Sequence, residues 1–159
     1  LREQGVVKSA KLGSRATEQG AVFSYLHPGD QLGVILEISC ETDFVARTED
    51  FKALGKNVAM QVAAANPSFV SRDDVPEDVV ARERDVLTAQ AKAEGKPDHI
   101  LDKMVEGRLT KFFEEICLLD QPYIRDDAKR VGELVTDTVA ILRENIKIKR
   151  FTRYQVGTE

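Results

Sequence analysis

The sequence of 159 residues contains few of the side chains that form disulfides or bind metals. It has two cysteines, Cys40 and Cys117, and two histidines, His27 and His99. None of the four is spaced from another as metal ligands usually are. Two isolated cysteines do not form a disulfide framework, so we expect a reducing compartment and no metal site.

The sequence also lacks long apolar runs and a dominant charge. No run reaches the roughly 20 apolar residues that a membrane helix needs, and we expect no membrane association. Nothing at the start resembles a signal peptide. The formal net charge is -4, so no positive field favours nucleic acid. With 42% apolar residues, the composition predicts a globular chain of one or two small domains.

The common enzyme signatures are absent as well. Residues 95–97 read Gly-Lys-Pro, which lacks the Ser or Thr of a phosphate-binding loop, and there is no Gly-rich dinucleotide fingerprint. The acid pairs at residues 73–74 and 126–127 come just before predicted helices, where the helix dipole favours acids. No basic residue is placed to activate Cys40, which we expect to be a buried or strand-end thiol. We predict no catalytic residue and no cofactor, and we expect His99 at the surface.

The first part of the chain predicts a β-hairpin. Residues 21–27 are rich in strand formers, and residues 27–30 (His-Pro-Gly-Asp) predict a type II turn, with Pro28 presetting φ and Gly29 accepting a positive φ. Apolar residues then alternate along a second strand and share one face. They are Leu32, Val34, Leu36 and Ile38.

Helices follow the hairpin, and a strand ends the chain. Thr48 is a predicted N-cap of a helix that ends at residues 66–67 (Asn-Pro). Further helices are predicted at 76–94, with Pro76 at position N1, at 97–116 and at 131–144, with a loop at 119–127. Residues 146–156 predict a last strand with a bulge near Arg150. The fold class is therefore α+β, with a small antiparallel three-stranded sheet packed against several helices.

The most informative segment is residues 41–51, which joins the second strand to the first helix. Phe44 is an aromatic residue within a predicted polar loop. Either the ring folds back into the local core, as is usual for Phe, or it is presented to the pocket of a partner. The residues alone leave both alternatives open.

Residues 40–47 (CETDFVAR) resemble the signature of the elongation factor Ts family. The likeness continues in order along almost the whole chain. The similar segments are residues 1–5 (LREQG), 8–11 (KSAK), 57–67 (NVAMQVAAANP), 94–97 (EGKP), 103–109 (KMVEGRL), 121–123 (QPY) and 150–151 (RF).

This resemblance implies a guanine-nucleotide exchange factor that promotes GDP release from elongation factor Tu. In the family, the aromatic at the position of Phe44 wedges between two helices near the magnesium site, and the acid at Asp43 acts in the same place. Thr42 and Val45 shape the loop. Arg47 and His27 complete the candidate contacts with elongation factor Tu, although the local chemistry of His27 favours a turn residue over a partner contact.

The resemblance also predicts domains and assembly. Residues 1–20 are expected to be the end of an N-terminal helical domain and a linker, with Lys8 and Lys11 as remnants of its grip on the partner. Residues 21–159 are expected to form the core. Because the chain begins without Met and resembles short, single-core members, we expect a fragment that forms a homodimer. The expected location is the cytoplasm, with an organelle matrix or stroma as the alternative.

A competing hypothesis is a ribosome- or RNA-associated protein that binds through the basic C-terminal strand. Alternating charge on a strand is more often a solvated, protected edge, and the net acidity argues against RNA. We therefore expect no direct nucleic-acid binding. An enzyme that uses Asp43 or Cys40 is a third hypothesis, without helper residues to support it. The basic strand carries Lys147, Lys149, Arg150, Phe151, Arg153 and Tyr154.

Overall fold

A computed structural model describes residues 12–158. These residues form two compact units, one of residues 12–66 and 122–158 and the other of residues 67–121. The predicted helical end at residues 1–11, with Lys8 and Lys11, lies outside the described residues, and the predicted domain boundary at residue 20 stays a prediction. The elements are β1 (Gln19–Leu26), β2 (Leu32–Cys40), α1 (Asp43–Ala46), α2 (Glu49–Ala65), α3 (Glu77–Ala93), α4 (Asp98–Ile116), β3 (Pro122–Tyr123), β4 (Asp126–Arg130), α5 (Val131–Leu142) and β5 (Lys147–Gln155).

The α+β prediction is confirmed, since β1, β2 and β5 form an antiparallel sheet with β2 in the centre. The predicted turn joins β1 to β2: the Asp30 N–H donates to the His27 carbonyl oxygen at 3.0 Å, and Gly29 has φ +99°. Asp30 also takes a positive φ, of +61°, which the sequence did not predict. The turn thus fixes the register of β1 against β2.

The two faces of β2 differ as the alternation predicts. Val34, Leu36 and Ile38 are buried on the inner face, whereas Ile35 is 56% exposed on the outer face. The predicted bulge is confirmed next to Arg150. Glu37 pairs with Arg150 and Ile38 pairs with Ile148, which leaves one extra residue on β5.

Helix α2 covers the inner face of the sheet. It begins as predicted, because the Thr48 side chain accepts a hydrogen bond from the Phe51 N–H at 3.3 Å. The Phe51 ring is fully buried, with its centroid 5.7 Å from that of Phe23 on β1. The helix ends before the Asn-Pro pair, as predicted, and its C-cap Asn66 adopts a left-handed conformation.

The predicted loop at residues 119–127 is wrong in part, because β3 and β4 form a second small hairpin there. The buried side chain of Gln61 on α2 explains its stability. Its Nε2 donates to the Pro122 carbonyl oxygen at 3.1 Å, and its Oε1 accepts from the Ile124 N–H at 2.9 Å. The sequence did not predict this hairpin because a two-residue strand is too short to show alternation. The hydrogen bonds that hold it come from Gln61, which is distant in the sequence.

Helix α5 ends two residues before the predicted end. Arg143 adopts a left-handed conformation with φ +59° and stops the helix. The next two residues, Glu144 and Asn145, therefore leave the helix axis before β5 begins. Their side chains are central to the site described below.

Within the unit of residues 67–121, α3 and α4 form an antiparallel pair around Leu87, Val105 and Leu109. Both helices were predicted, although Pro76 occupies the N-cap of α3 rather than position N1. The pair is crossed by ion pairs between Arg84 and Glu106 and between Arg108 and Glu94. The ends of this unit meet, since the Ser68 and Phe69 N–H groups donate to the Ile116 carbonyl oxygen at 2.8 and 2.9 Å.

Candidate functional site

The predicted polar loop around Phe44 is a single helical turn, α1. The sequence missed it because four residues give no helical period. Thr42 is its N-cap, and the Thr42 side chain accepts a hydrogen bond from the Val45 N–H at 3.3 Å. Asp43 stands in the first turn, where the helix dipole favours an acid.

Phe44 points to solvent. Its side chain is 74% exposed, while the neighbouring Val45 is only 5% exposed. Consecutive residues of a helical turn point about 100° apart, so burying Val45 presents Phe44. The alternative in which Phe44 folds back into the core is therefore wrong. A large apolar ring in water, on a fixed turn, is the kind of side chain that anchors an interface.

Asp43 and Arg47 form an ion pair beside Phe44. Nη2 of Arg47 lies 2.8 Å from Oδ2 of Asp43, and Nε of Arg47 donates to the Asp43 carbonyl oxygen at 3.3 Å. Both side chains are about 70% exposed, so the pair adds little stability. A partner could therefore separate the pair at small cost and contact either charge.

Glu144 fixes the start of the turn, and the sequence analysis missed it. Its Oε1 accepts from the N–H groups of Glu41 and Thr42 at 3.1 and 3.0 Å. Its Oε2 accepts from the Thr42 hydroxyl at 2.7 Å. Because 102 residues separate Glu144 from Thr42, no local pattern in the sequence could have linked them.

A second contact, from the Glu41 side chain to the backbone after Glu144, lies beside the Glu144 carboxylate. Oε2 of Glu41 accepts from the Asn145 N–H at 2.6 Å, and Arg15 lies 3.6 Å from Oε1 of Glu41. The Asn145 side chain is buried, and its Nδ2 donates to the carbonyl oxygens of Arg15 and Gly13 at 2.6 and 3.3 Å. The segment before β1, the end of β2 and the residues after α5 are thus joined.

Cys40 is a buried thiol at the end of β2, as predicted. Its Sγ donates to the Thr42 carbonyl oxygen at 3.1 Å. Burial, with a further contribution from the Glu144 carboxylate, raises the pKa of this thiol. Cys40 is therefore a weak nucleophile, and the structure gives no support to an enzyme that uses it.

The two acid pairs have local structural roles. Asp74 accepts hydrogen bonds from the N–H and hydroxyl of Ser71 in a capping box. Asp126 accepts from the Ala128 N–H at 3.2 Å within β4. For residues 73–74, this agrees with the interpretation as acids at a helical turn. The prediction that residues 126–127 lie in a loop is wrong, because both belong to β4. Among residues 12–158, no group of three or more His, Cys, Asp and Glu side chains could hold a metal ion.

The structure does not bring His27 to the other site residues. His27 lies in the turn before β2, whereas α1 follows the opposite end of that strand. The nine residues of β2 span roughly 30 Å at about 3.4 Å per residue. His27 is exposed, with Nδ1 2.8 Å from the Tyr25 hydroxyl. It borders a groove of about 370 Å³, whose other lining residues are Tyr25, Leu32, Met60, Ala63, Ala64, Ile124 and Arg153. The other histidine, His99, is exposed as predicted.

The basic C-terminal strand is partly used within the fold. Arg150 donates to the Glu37 carboxylate at 2.7 Å. Arg153 donates twice to the Ala63 carbonyl oxygen, at 3.2 and 3.0 Å. These contacts leave β5 with fewer free cations than its sequence indicates.

Similarity to known proteins covers almost the whole chain. The sequence profile of the family described as Elongation factor TS matches residues 3–158. The chain is 51% identical over 157 residues to Elongation factor Ts of Solibacter usitatus (strain Ellin6076), covering 99% of this chain and 74% of that protein. It is 51% identical to Elongation factor Ts of Syntrophomonas wolfei subsp. wolfei, over 99% of this chain and 73% of that protein. It is 50% identical to Elongation factor Ts of Thermoanaerobacter sp. (strain X514), over 99% of this chain and 77% of that protein. The chain therefore belongs to the elongation factor Ts family.

Proposed function

We propose that this chain promotes GDP release from elongation factor Tu by inserting α1, with Asp43 and Phe44, beside the magnesium and phosphate site. Family membership implies nucleotide exchange on elongation factor Tu during translation elongation, and an exchange factor rather than an enzyme. The insertion of α1 is the further step. The observation that carries it is the 74% exposure of Phe44 on a turn fixed by Thr42 and Val45.

The energy scale suits this mechanism. Burying one Phe side chain provides roughly 1.5–3 kcal/mol, and each 1.4 kcal/mol corresponds to about tenfold in affinity. One ring can thus shift a nucleotide site between two states without unfolding the partner. Coupling is reciprocal, so the factor weakens GDP binding by the same ratio by which GDP weakens binding of the factor.

The other candidate residues have different places in this proposal. Asp43 and Arg47 are exposed beside Phe44 and would contact the partner directly. Thr42 caps the turn, and the buried Val45 anchors it to the core. His27 would form a separate contact at the other end of β2, next to its groove.

The test is the release of fluorescent GDP from preloaded elongation factor Tu. The native chain should accelerate release, and Phe44→Ala should remove most of the acceleration. Because Phe44 is exposed, Phe44→Ala should keep its unfolding free energy within about 0.5 kcal/mol of the native value.

Val86→Ala is the control, since Val86 on α3 is also a large exposed apolar residue, with 45% exposure. It should release GDP at the native rate. Equal rates for the native chain and Phe44→Ala would reject the wedge and keep the exchange function. No release by the native chain would reject the exchange function itself if nucleotide-free elongation factor Tu also fails to bind.

We further propose that the chain forms a homodimer. The outer face of the sheet carries three large apolar side chains in water: Val22 is 67% exposed, Leu26 is 62% and Ile35 is 56%. The pairing of Val22 with Glu37 and of Ser24 with Ile35 places them on one face. Sedimentation should give a dimer for the native chain and a monomer for Ile35→Asp. A native monomer at micromolar concentration would reject this proposal.

A ribosome- or RNA-binding role is the alternative function. The use of Arg150 and Arg153 within the fold disfavours it, and we propose no direct nucleic-acid binding. RNA affinity that falls steeply with added salt would reverse this conclusion. No helix among residues 12–158 is long and apolar enough to cross a membrane. The cytoplasmic location and the core boundary at residue 21 stay predictions.

A further inference from the structure

The turn that carries Phe44 is too short to be stable alone. Helix α1 has four residues. A helix of one turn forms too few hydrogen bonds to offset the conformational entropy that is lost in its nucleation. Contacts from outside must therefore hold it. Val45 supplies one of them by burial in the core. A polar contact from a distant segment supplies the other.

That contact is the carboxylate of Glu144. It accepts three hydrogen bonds from the two residues that lead into α1. Two of the donors are backbone N–H groups, which also fix the direction of the chain as it leaves β2. Hydrogen bonds to a charged acceptor are the stronger kind, and here they converge on one side chain.

The third hydrogen bond links Glu144 to the cap. The Thr42 hydroxyl donates to Oε2 of Glu144 at 2.7 Å and accepts from the Val45 N–H at 3.3 Å. A hydroxyl has one proton and two lone pairs. By taking the proton, Glu144 turns a lone pair of Thr42 toward Val45. The orientation of the cap, and through it the outward direction of Phe44, thus depends on Glu144.

The position of Glu144 is itself fixed. The left-handed Arg143 ends α5, and the Asn145 N–H donates to Glu41 at 2.6 Å. The buried Asn145 side chain then holds the backbone at Gly13 and Arg15. Glu144 is therefore held by contacts on both sides, rather than extended from a mobile loop.

We propose that Glu144 is a positioning residue for nucleotide exchange: it fixes α1 so that Phe44 is presented in the orientation that enters the partner. The role in exchange rests on the proposed function. Its structural part, the ordering of α1, concerns the free chain and is tested without elongation factor Tu.

The first test is amide hydrogen exchange of the free chain at Glu41, Thr42 and Val45. Glu144→Ala should accelerate exchange of these amides about tenfold or more, because their acceptor or the cap is lost. Glu144→Gln should give a smaller acceleration, because its amide oxygen still accepts from both N–H groups, whereas the charge and the acceptor for the Thr42 hydroxyl proton are lost. Asp137→Ala is the matched control, as it removes a surface acid of α5 that pairs with Lys129 at 3.0 Å.

A second pair of variants covers the case in which Glu144→Ala does not fold. Thr42 is exposed, so its variants should fold. Thr42→Ser keeps the hydroxyl and should behave as the native chain, whereas Thr42→Val removes it and should accelerate exchange of the Val45 amide, which donates to that hydroxyl. Native protection in Glu144→Ala, or in Thr42→Val where the first variant does not fold, would overturn the ordering role.

The second test follows GDP release at increasing concentrations of each variant. For Glu144→Ala we expect the maximum rate to fall about tenfold or more, with a smaller change in the concentration at half-maximum, and we expect Glu144→Gln to restore the rate in part. A native maximum rate for Glu144→Ala would overturn the positioning role and leave the exchange function intact. If the native chain itself releases no GDP, the proposed function fails, and hydrogen exchange alone decides whether Glu144 orders α1.

Discussion

Gly55 on α2 lies directly against the ring of Phe23 on β1, since a Cβ atom built at Gly55 would come within 2.3 Å of that ring. Ala normally stabilises a helix interior by about 1 kcal/mol relative to Gly. Here the added methyl group would force the ring, and the Phe51 ring packed against it, to move. We therefore predict that Gly55→Ala lowers the free energy of unfolding by about 1–3 kcal/mol, measured by urea denaturation.

Gly107 on α4 provides the matched control. A Cβ atom built there meets nothing within 4 Å, so Gly107→Ala should show the ordinary helix preference and raise stability by about 0.5–1 kcal/mol. If both substitutions stabilise the chain, the close approach of α2 to the sheet is not the reason for Gly55.

The second prediction concerns Gln61, which joins α2 to the β3–β4 hairpin. Its amide group serves both the Pro122 carbonyl oxygen and the Ile124 N–H, and the side chain is fully buried. Gln61→Leu, of similar size, would remove both hydrogen bonds from the β3–β4 hairpin. We predict a loss of about 1–3 kcal/mol in thermal or urea unfolding. Faster amide exchange at Ile124 should accompany it, while stability equal to that of the native chain would contradict the anchoring role.

Arg153 gives a third prediction, with Arg150 on the same strand as its control. Helix α2 has no basic residue in its last turn, and the Arg153 guanidinium supplies that charge by donating to the Ala63 carbonyl oxygen. Arg153→Leu should therefore cost about 1–3 kcal/mol of stability. Arg150→Leu removes only an exposed ion pair and should cost about 0–1 kcal/mol. Equal losses would mean that the contact with α2 adds nothing.

The buried thiols predict a dependence on pH. Burial, and then the nearby Asp120 carboxylate, raise the pKa of Cys117 to about 11. An unfolded thiol loses its proton near pH 8.5. Between these values the unfolded chain binds fewer protons than the folded one, so stability present below about pH 8.5 should decline as pH rises toward 11.

The measurement is urea unfolding of the native chain and of Cys117→Ala at several pH values. The difference in stability between the two should shrink as pH rises, because the variant lacks the titrating thiol. In the folded chain at pH 8, neither Cys40 nor Cys117 should react rapidly with a thiol reagent, and both should react after unfolding. Rapid labelling of the folded chain would contradict their burial.

The parts of the fold with a regular period were predictable from the sequence. The alternation along β2, the three- and four-residue steps of α2 with its Thr48 cap, and the turn after His27 are local patterns that the structure confirms. Each depends on residues within a few positions of one another. Local chemistry therefore sufficed for the β1–β2 hairpin and the helix that covers it.

The remainder depended on contacts between distant residues. The Gln61 amide supports the β3–β4 hairpin from 61 positions away, and Glu144 supports α1 from 102 positions away. The resemblance led to Asp43 and Phe44, the residues that we propose for the partner contact. It could not show which residue orients them, because that support becomes visible only when the chain is folded.

The meeting of the two ends of residues 67–121 has a consequence for how this chain can vary. The Ser68 and Phe69 N–H groups donate to the Ile116 carbonyl oxygen, and the Leu118 N–H donates to the Phe69 carbonyl oxygen at 2.8 Å. The segment therefore begins and ends at neighbouring positions. Whole turns could be added to or removed from α3 and α4 together without changing the separation of these ends. The length of this segment can therefore change while its two ends stay together.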